Sequence, residues 1–292
     1  MKLVTYRSGT EDRAGVVSSE GVVCDLEFAL QRLGLTATRN AREFLELYGG
    51  DLAGVEQALR AVDTTLHRVG LVDELELLSP IADPEKVLCV GLNYLDHVAE
   101  TERNLPKFPD VFAKLPRSLT GPRCDIPARS ITDQLDFEGE IAIVIGRSGR
   151  SIPEDSAHEH IAGFTVLNDI TARDVQYRGT QWTLGKSLDA STPCGPCLVT
   201  TTELDVASPL EVITRLNGTE MQRSHTGLLI FSFARIVSYL STYCELAPGD
   251  IIATGTPAGI GAKRVPPVWL QPGDVIEVEV QDIGVLRNSV IE

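Results

Sequence analysis

The stretch Leu135–Gly146, LDFEGEIAIVIG, constrains this chain more than any other. Its second half is an apolar run of Ile, Ala and Val closed by Gly, which reads as a buried β-strand. Its first half carries Asp136, Glu138 and Glu140, spaced two apart. Side chains alternate along a strand, so the three acids would share one face, with Phe137, Gly139 and Ile141 on the other. Like charges on a strand that runs into a core repel each other and lose hydration. A hard divalent cation relieves this, since Mg²⁺ and Mn²⁺ favour carboxylate oxygens. A solvated strand end at a sheet edge is the alternative reading.

The 292 residues allow one large domain or two smaller ones. A net charge of −15 argues against nucleic acid or an anionic membrane surface as the main partner, though not against a small anionic substrate. No apolar run approaches the roughly 18–20 residues of a membrane span. The start, MKLVTYRSGTEDRAG, lacks the apolar segment of a signal peptide, so the expectation is a cytoplasmic protein. Its six cysteines are scattered, mostly in apolar contexts, and read as reduced, buried thiols.

Residues 1–78 read as a small α+β module. Short strands fill residues 1–30, and FALQRLGL, AREFLELYGG and LAGVEQALRAVDTTLHRV have the apolar spacing of helices. With no cluster of chemical groups, this module reads as a support or dimer contact. LLSPIADPEK, at 77–86, is the candidate linker, and residues 79–292 form the second domain.

In that second domain KVLCVGLNY reads as a buried strand, followed by a polar, Pro-containing segment with the makings of a lid. His97 and Glu100 stand three apart, where one helical turn would let the carboxylate orient the imidazole as a general-base dyad; a surface pair is the other reading. IAGFTVLND reads as a buried strand ending at Asp169, which is either a third metal ligand or the cap of the turn TARDVQYRG. The Gly179…Gly185-Lys186-Ser187 stretch does not fit a P-loop, having one residue too many between its glycines. Cys194-Gly195-Pro196-Cys197 has redox spacing but precedes a strand, so it reads as a Pro/Gly turn with incidental cysteines. Lys186, in a moderately apolar stretch, needs an anionic partner. ITRLNG followed by EMQRSHT reads as a hairpin, Ser232–Leu246 as an amphipathic helix, and the Gly-rich loop after ATG as a donor of amide hydrogens and the Thr256 hydroxyl to a carboxylate.

These motifs occur together as GLNYLDHVAE (91–100), FAK (112–114), DFEGE (136–140), NDITARDVQ (168–176), WTLGKS (182–187) and TGTPAGIG (254–261). In that order the chain resembles the fumarylacetoacetate hydrolase family over about residues 80–290. The resemblance implies an α+β, mainly β fold, a mixed β-roll or distorted barrel, usually dimeric. It implies Mg²⁺ or Mn²⁺ held by Glu138, Glu140 and Asp169, with Lys186 beside them. It implies a His97–Glu100 dyad, with Thr256, Lys114, Arg173 and Gln176 near a 2-oxo acid substrate. The reaction expected first is hydrolysis of a C–C bond in a 2,4-dioxo acid. Decarboxylation, isomerisation and sugar-acid dehydration are the alternatives. Leu92 departs from the pattern, since some members place Arg there, and leaves Arg117, Arg123 or Arg173 to serve a second anionic group.

Overall fold

The computed structural model describes residues 1–62, 67–101, 103–127 and 131–292. Its centre is the strand Gly139–Ile145, buried at every position. It pairs antiparallel with Ile161–Asn168 on one side and with Ile251–Ala253 on the other. The sheet continues through Thr192–Thr200, Lys2–Ser8, Glu11–Val17, Val22–Asp25 and Arg68–Leu71 in one direction, and through Val87–Gly91 and Asp110–Lys114 in the other. A second, five-stranded sheet runs in the order Thr219–His225, Glu211–Leu216, Val275–Val280, Gly284–Ile291, Ile126–Pro127. The fold is mainly β with mixed pairing, as expected, but its sheets stay open and do not close into a barrel among the described residues.

Alternation along the central strand builds two cores. Ile141, Ile143 and Ile145 pack with Val212, Val278 and Leu286 of the second sheet. Ala142 and Val144 face the other way, into a core with Leu26, Leu30, Phe44 and Leu45. Those last four lie on helices Leu26–Arg32 and Ala41–Tyr48, started by Asp25 and Asn40, whose side chains accept the Phe28 and Glu43 N–H groups. The N-terminal module is joined edge to edge to the rest, with Lys2 opposite Val199 and Leu3 opposite Leu198.

Two local expectations need correction. The helix expected to run to Val69 ends at Arg60, and Arg68–Leu71 is a strand beside Val22–Asp25, because edge pairing overrides the local apolar spacing. The 63–66 part of that expectation lies outside the described residues. Cys194 and Cys197 sit inside the strand Thr192–Thr200, not in a turn, and both are buried. All six cysteines are free thiols. The Asn217-Gly218 hairpin is as expected, both residues having positive φ as a tight two-residue turn requires. The helix Phe233–Tyr243 is likewise present, capped by Ser232. No helix of the described residues is long and apolar enough to cross a membrane.

Candidate metal centre and its cleft

Antiparallel pairing assembles the acids. Gly139 stands opposite Asn168, so the entry of one buried strand meets the exit of its neighbour. The Asp169 N–H donates to the Glu138 carbonyl (2.8 Å), and the Glu138 N–H donates to the Asn168 side chain (3.0 Å). Carboxylate oxygens of Glu138, Glu140 and Asp169 thereby lie within 4.8 Å of one another, and all three residues are buried.

Asp136 does not join them. The strand pairing breaks between Asp136 and Gly139, so the alternation that would align three acids does not carry through. Asp136 instead accepts the Gly261 N–H (2.7 Å), the Ala262 N–H (3.0 Å) and the Arg173 Nε–H (2.8 Å). It is the post to which the Gly-rich loop is tied. Gly261 is required there, because a Cβ would lie 2.0 Å from the Val268 carbonyl oxygen and 2.7 Å from Asp136 Oδ1. We expect Asp136→Ala to cost about 3–5 kcal/mol in urea unfolding, since it strips one carboxylate from a buried guanidinium and removes the acceptor of three amides, those of Phe137, Gly261 and Ala262. A loss below about 1 kcal/mol would show that the loop is held by other means.

The charges are closely packed. Lys186 Nζ lies 2.8 Å from Glu138 Oε2 and 2.6 Å from Asp169 Oδ2. Arg173 Nη2 lies 2.5 Å from Glu138 Oε1. Burial alone would raise the Glu138 carboxyl, but Lys186 and Arg173 overcome it and hold that carboxyl at about 2. Burial opposes the charge of Lys186, and Asp169 and Glu138 more than restore it, so its ammonium is held above the ordinary lysine range. Glu140 fares differently. Its Oε2 accepts the Gly255 N–H (2.7 Å), and no cation pairs with it among the described residues. Burial, then the charges of Asp169 and Glu138, push its carboxyl well above the ordinary range. A buried carboxylate without a cation, beside two more hard oxygen donors, fits a divalent ion of the Mg²⁺ or Mn²⁺ type.

The other expected site residues divide. Lys114 is fully buried behind Asp169, donating to its Oδ1 (2.6 Å) and to the Ile170 carbonyl (3.2 Å), and does not line the cleft. Arg173, Gln176, Lys186, Thr256 and His97 line it together with Glu138 and Glu140, around a space of about 630 Å³. The Thr256 hydroxyl donates to the Gly139 carbonyl (3.1 Å) and accepts from Gln222 Nε2 (2.9 Å), so a ligand carboxylate accepts from it only by displacing its bond to Gly139. Gln222 was not foreseen. Its Oε1 also accepts the Gly139 N–H (3.0 Å), which clamps the loop to the acidic strand. Among the arginines weighed for a second anionic group, Arg117 is exposed beside Asp189, Arg123 pairs with Asp73, and Arg173 is locked between Asp136 and Glu138.

His97 and Glu100 share one turn of the short helix Leu95–Glu100, over the cleft. His97 Nδ1 lies 3.1 Å from Glu100 Oε2. The carboxylate favours a proton on Nδ1 and leaves Nε2 as the basic nitrogen. Glu100 Oε1 accepts the Gly259 N–H (2.9 Å), so the same side chain ties the helix to the Gly-rich loop.

Comparison with known proteins agrees with this geometry. Residues 86–291 match the profile of the fumarylacetoacetate hydrolase C-terminal domain. The chain is 42% identical over 223 residues to the oxaloacetate tautomerase YisK of Bacillus subtilis, covering 75% of this chain and 74% of that one. It is 39% identical over 252 residues to a mitochondrial oxaloacetate tautomerase of Xenopus laevis, covering 86% and 78%. A fumarylacetoacetate hydrolase from Exiguobacterium antarcticum superposes with a TM-score of 0.85 at 37% identity, covering 100% of this chain and 99% of that one. The chain belongs to the fumarylacetoacetate hydrolase family.

Proposed function

We propose that this chain is a divalent-cation-dependent tautomerase of 2-oxo dicarboxylates, interconverting enol and keto forms by moving one proton between C3 and the C2 oxygen. The observation that carries the reading is the placement of a single oriented base, His97, over a floor of buried acids and Lys186. Tautomerisation asks for a group that takes or returns the proton at C3, for stabilised negative charge at the C2 oxygen, and for a proton exchanged at that oxygen with solvent or with the same base; it needs no nucleophile and no leaving group. Two relatives that share about two-fifths of their residues with the chain are named as oxaloacetate tautomerases, which supports the same substrate class.

A bound divalent ion would polarise the substrate oxygens and favour the enolate. His97 Nε2 exchanges the C3 proton, and Glu100 balances the imidazolium that results. The Lys186 ammonium faces the negative charge that develops on the C2 oxygen. The lid helix excludes water, which keeps the enolate from stray reactions.

C–C hydrolysis is the second reading, because the same His97–Glu100 pair can deprotonate a water molecule. The test supplies enol oxaloacetate with Mg²⁺ or Mn²⁺ and follows the enol absorbance and the product mass. The expected result is decay faster than the spontaneous rate, unchanged mass and complete inhibition by EDTA. Pyruvate and CO₂ would make the chain a decarboxylase. Pyruvate and a carboxylic acid released from acetylpyruvate, with no effect on enol oxaloacetate, would make it a hydrolase.

A further inference from the structure

The cleft is charged at two levels. At its floor, Glu138 and Glu140 are buried with Arg173 and Lys186, and both of those cations are engaged by carboxylates. At its mouth stand Arg103 and Lys263, both exposed and both lining the same space. Among the described residues neither side chain is in an ion pair, and the carboxylates that line the space are those of Glu138 and Glu140. The same space is also lined by the apolar and aromatic side chains of Leu92, Phe112, Trp182 and Ile260.

The two cations come from different segments, each positioned by the chain. The Arg103 N–H donates to the Val98 carbonyl (3.3 Å), which folds it back on the end of the lid helix. Lys263 ends the short turn Gly261–Lys263, whose first two amides are held by Asp136. On a chain of net charge −15, two exposed cations that are in no ion pair among the described residues favour anions at this cleft, where the chain as a whole would repel them.

We infer that Arg103 and Lys263 form the specificity site for the distal carboxylate of the substrate. The 2-oxo acid end would sit on the floor, the carbon chain along the apolar wall, and the far carboxylate between the two cations. This inference rests on the 2-oxo dicarboxylate reading above and names the groups that select a dicarboxylate over a monocarboxylate. Arg103 lies on the lid side and Lys263 on the loop side, so a dicarboxylate would also bridge the two.

The test uses the full chain with Mg²⁺ and the variants Arg103→Met, Lys263→Met and the double variant. Binding of difluorooxaloacetate, which has no C3 proton to lose, and of pyruvate is measured by calorimetry. KM for enol oxaloacetate is measured in parallel. The wild type is expected to prefer the dicarboxylate by at least about tenfold, an effect of the size of one charge-assisted hydrogen bond. Each single variant should lose most of that preference, and the double variant all of it, with KM rising in step. A preference that survives in the double variant, or is absent from the wild type, overturns the inference. If the wild type fails to turn over oxaloacetate yet shows a preference that the double variant lacks, the tautomerase reading fails and the carboxylate site stands.

Discussion

Glu140→Gln is expected to abolish cation-dependent turnover while making the cation-free protein less sensitive to alkaline pH. The amide removes an anionic oxygen from the Glu138–Glu140–Asp169 cluster, so cation affinity should fall by more than the roughly 10–100-fold typical of losing a supporting partner. The stability effect follows from linkage. The Glu140 carboxyl is raised well above its ordinary value of 4.5 in the folded chain, first by burial and then by Asp169 and Glu138. Between those two values the folded state holds a proton that the unfolded state has lost, so stability declines as pH rises through that window. Glu138 behaves oppositely. Its carboxyl is held at about 2, so its contribution is intact at neutral pH and is lost only in strong acid. Thermal unfolding in EDTA from pH 5 to 8 should therefore show a downward slope in the wild type that the variant lacks. Added Mg²⁺ should restore the wild type alone. Parallel slopes with unchanged Mg²⁺ affinity would remove Glu140 from the site.

His97→Gln carries the second large effect. It should lower kcat by about 10²–10⁴-fold, the usual worth of a positioned general base, with Mg²⁺ affinity and unfolding temperature close to the wild type. The separation is expected because His97 is not among the three clustered carboxylates and its partner Glu100 keeps the Gly259 contact. Turnover within threefold of the wild type would take the dyad out of the chemistry.

Much of this was legible in the residues themselves. The run Ile141–Ile145 announced a buried strand because only a fully enclosed strand is apolar on both faces. The acids of Asp136–Glu140 pointed to a cation site because buried like charges repel, the resemblance put Asp169 with Glu138 and Glu140, and the registry of neighbouring strands brings those three carboxylates together. The rest depended on contacts between distant residues. Asp136 looked like a fourth member of the cluster, and only the break before Gly139 and the return of Gly261 reveal it as a loop anchor. Gln222 sits on a hairpin strand whose local sequence carries no sign that the Thr256 loop will arrive beside it. Lys114 followed a motif into the right neighbourhood but onto the far side of Asp169. Arg68–Leu71 took its conformation from the edge it pairs with, which no short-range spacing encodes.

The shared carboxylate of Glu100 has a kinetic consequence. One oxygen meets His97 and the other holds the Gly-rich loop, so on the proposed mechanism the alignment of the base is tied to the seating of helix Leu95–Glu100 against that loop. The enzyme therefore behaves as an interlock. In a raised lid the imidazole loses its orienting partner's anchor, and a substrate that has merely entered the cleft meets a base that is out of line. On the tautomerase reading, proton transfer would be licensed only with both bonds in place, so commitment to reaction and protection of the enolate would arise from the same pair of hydrogen bonds.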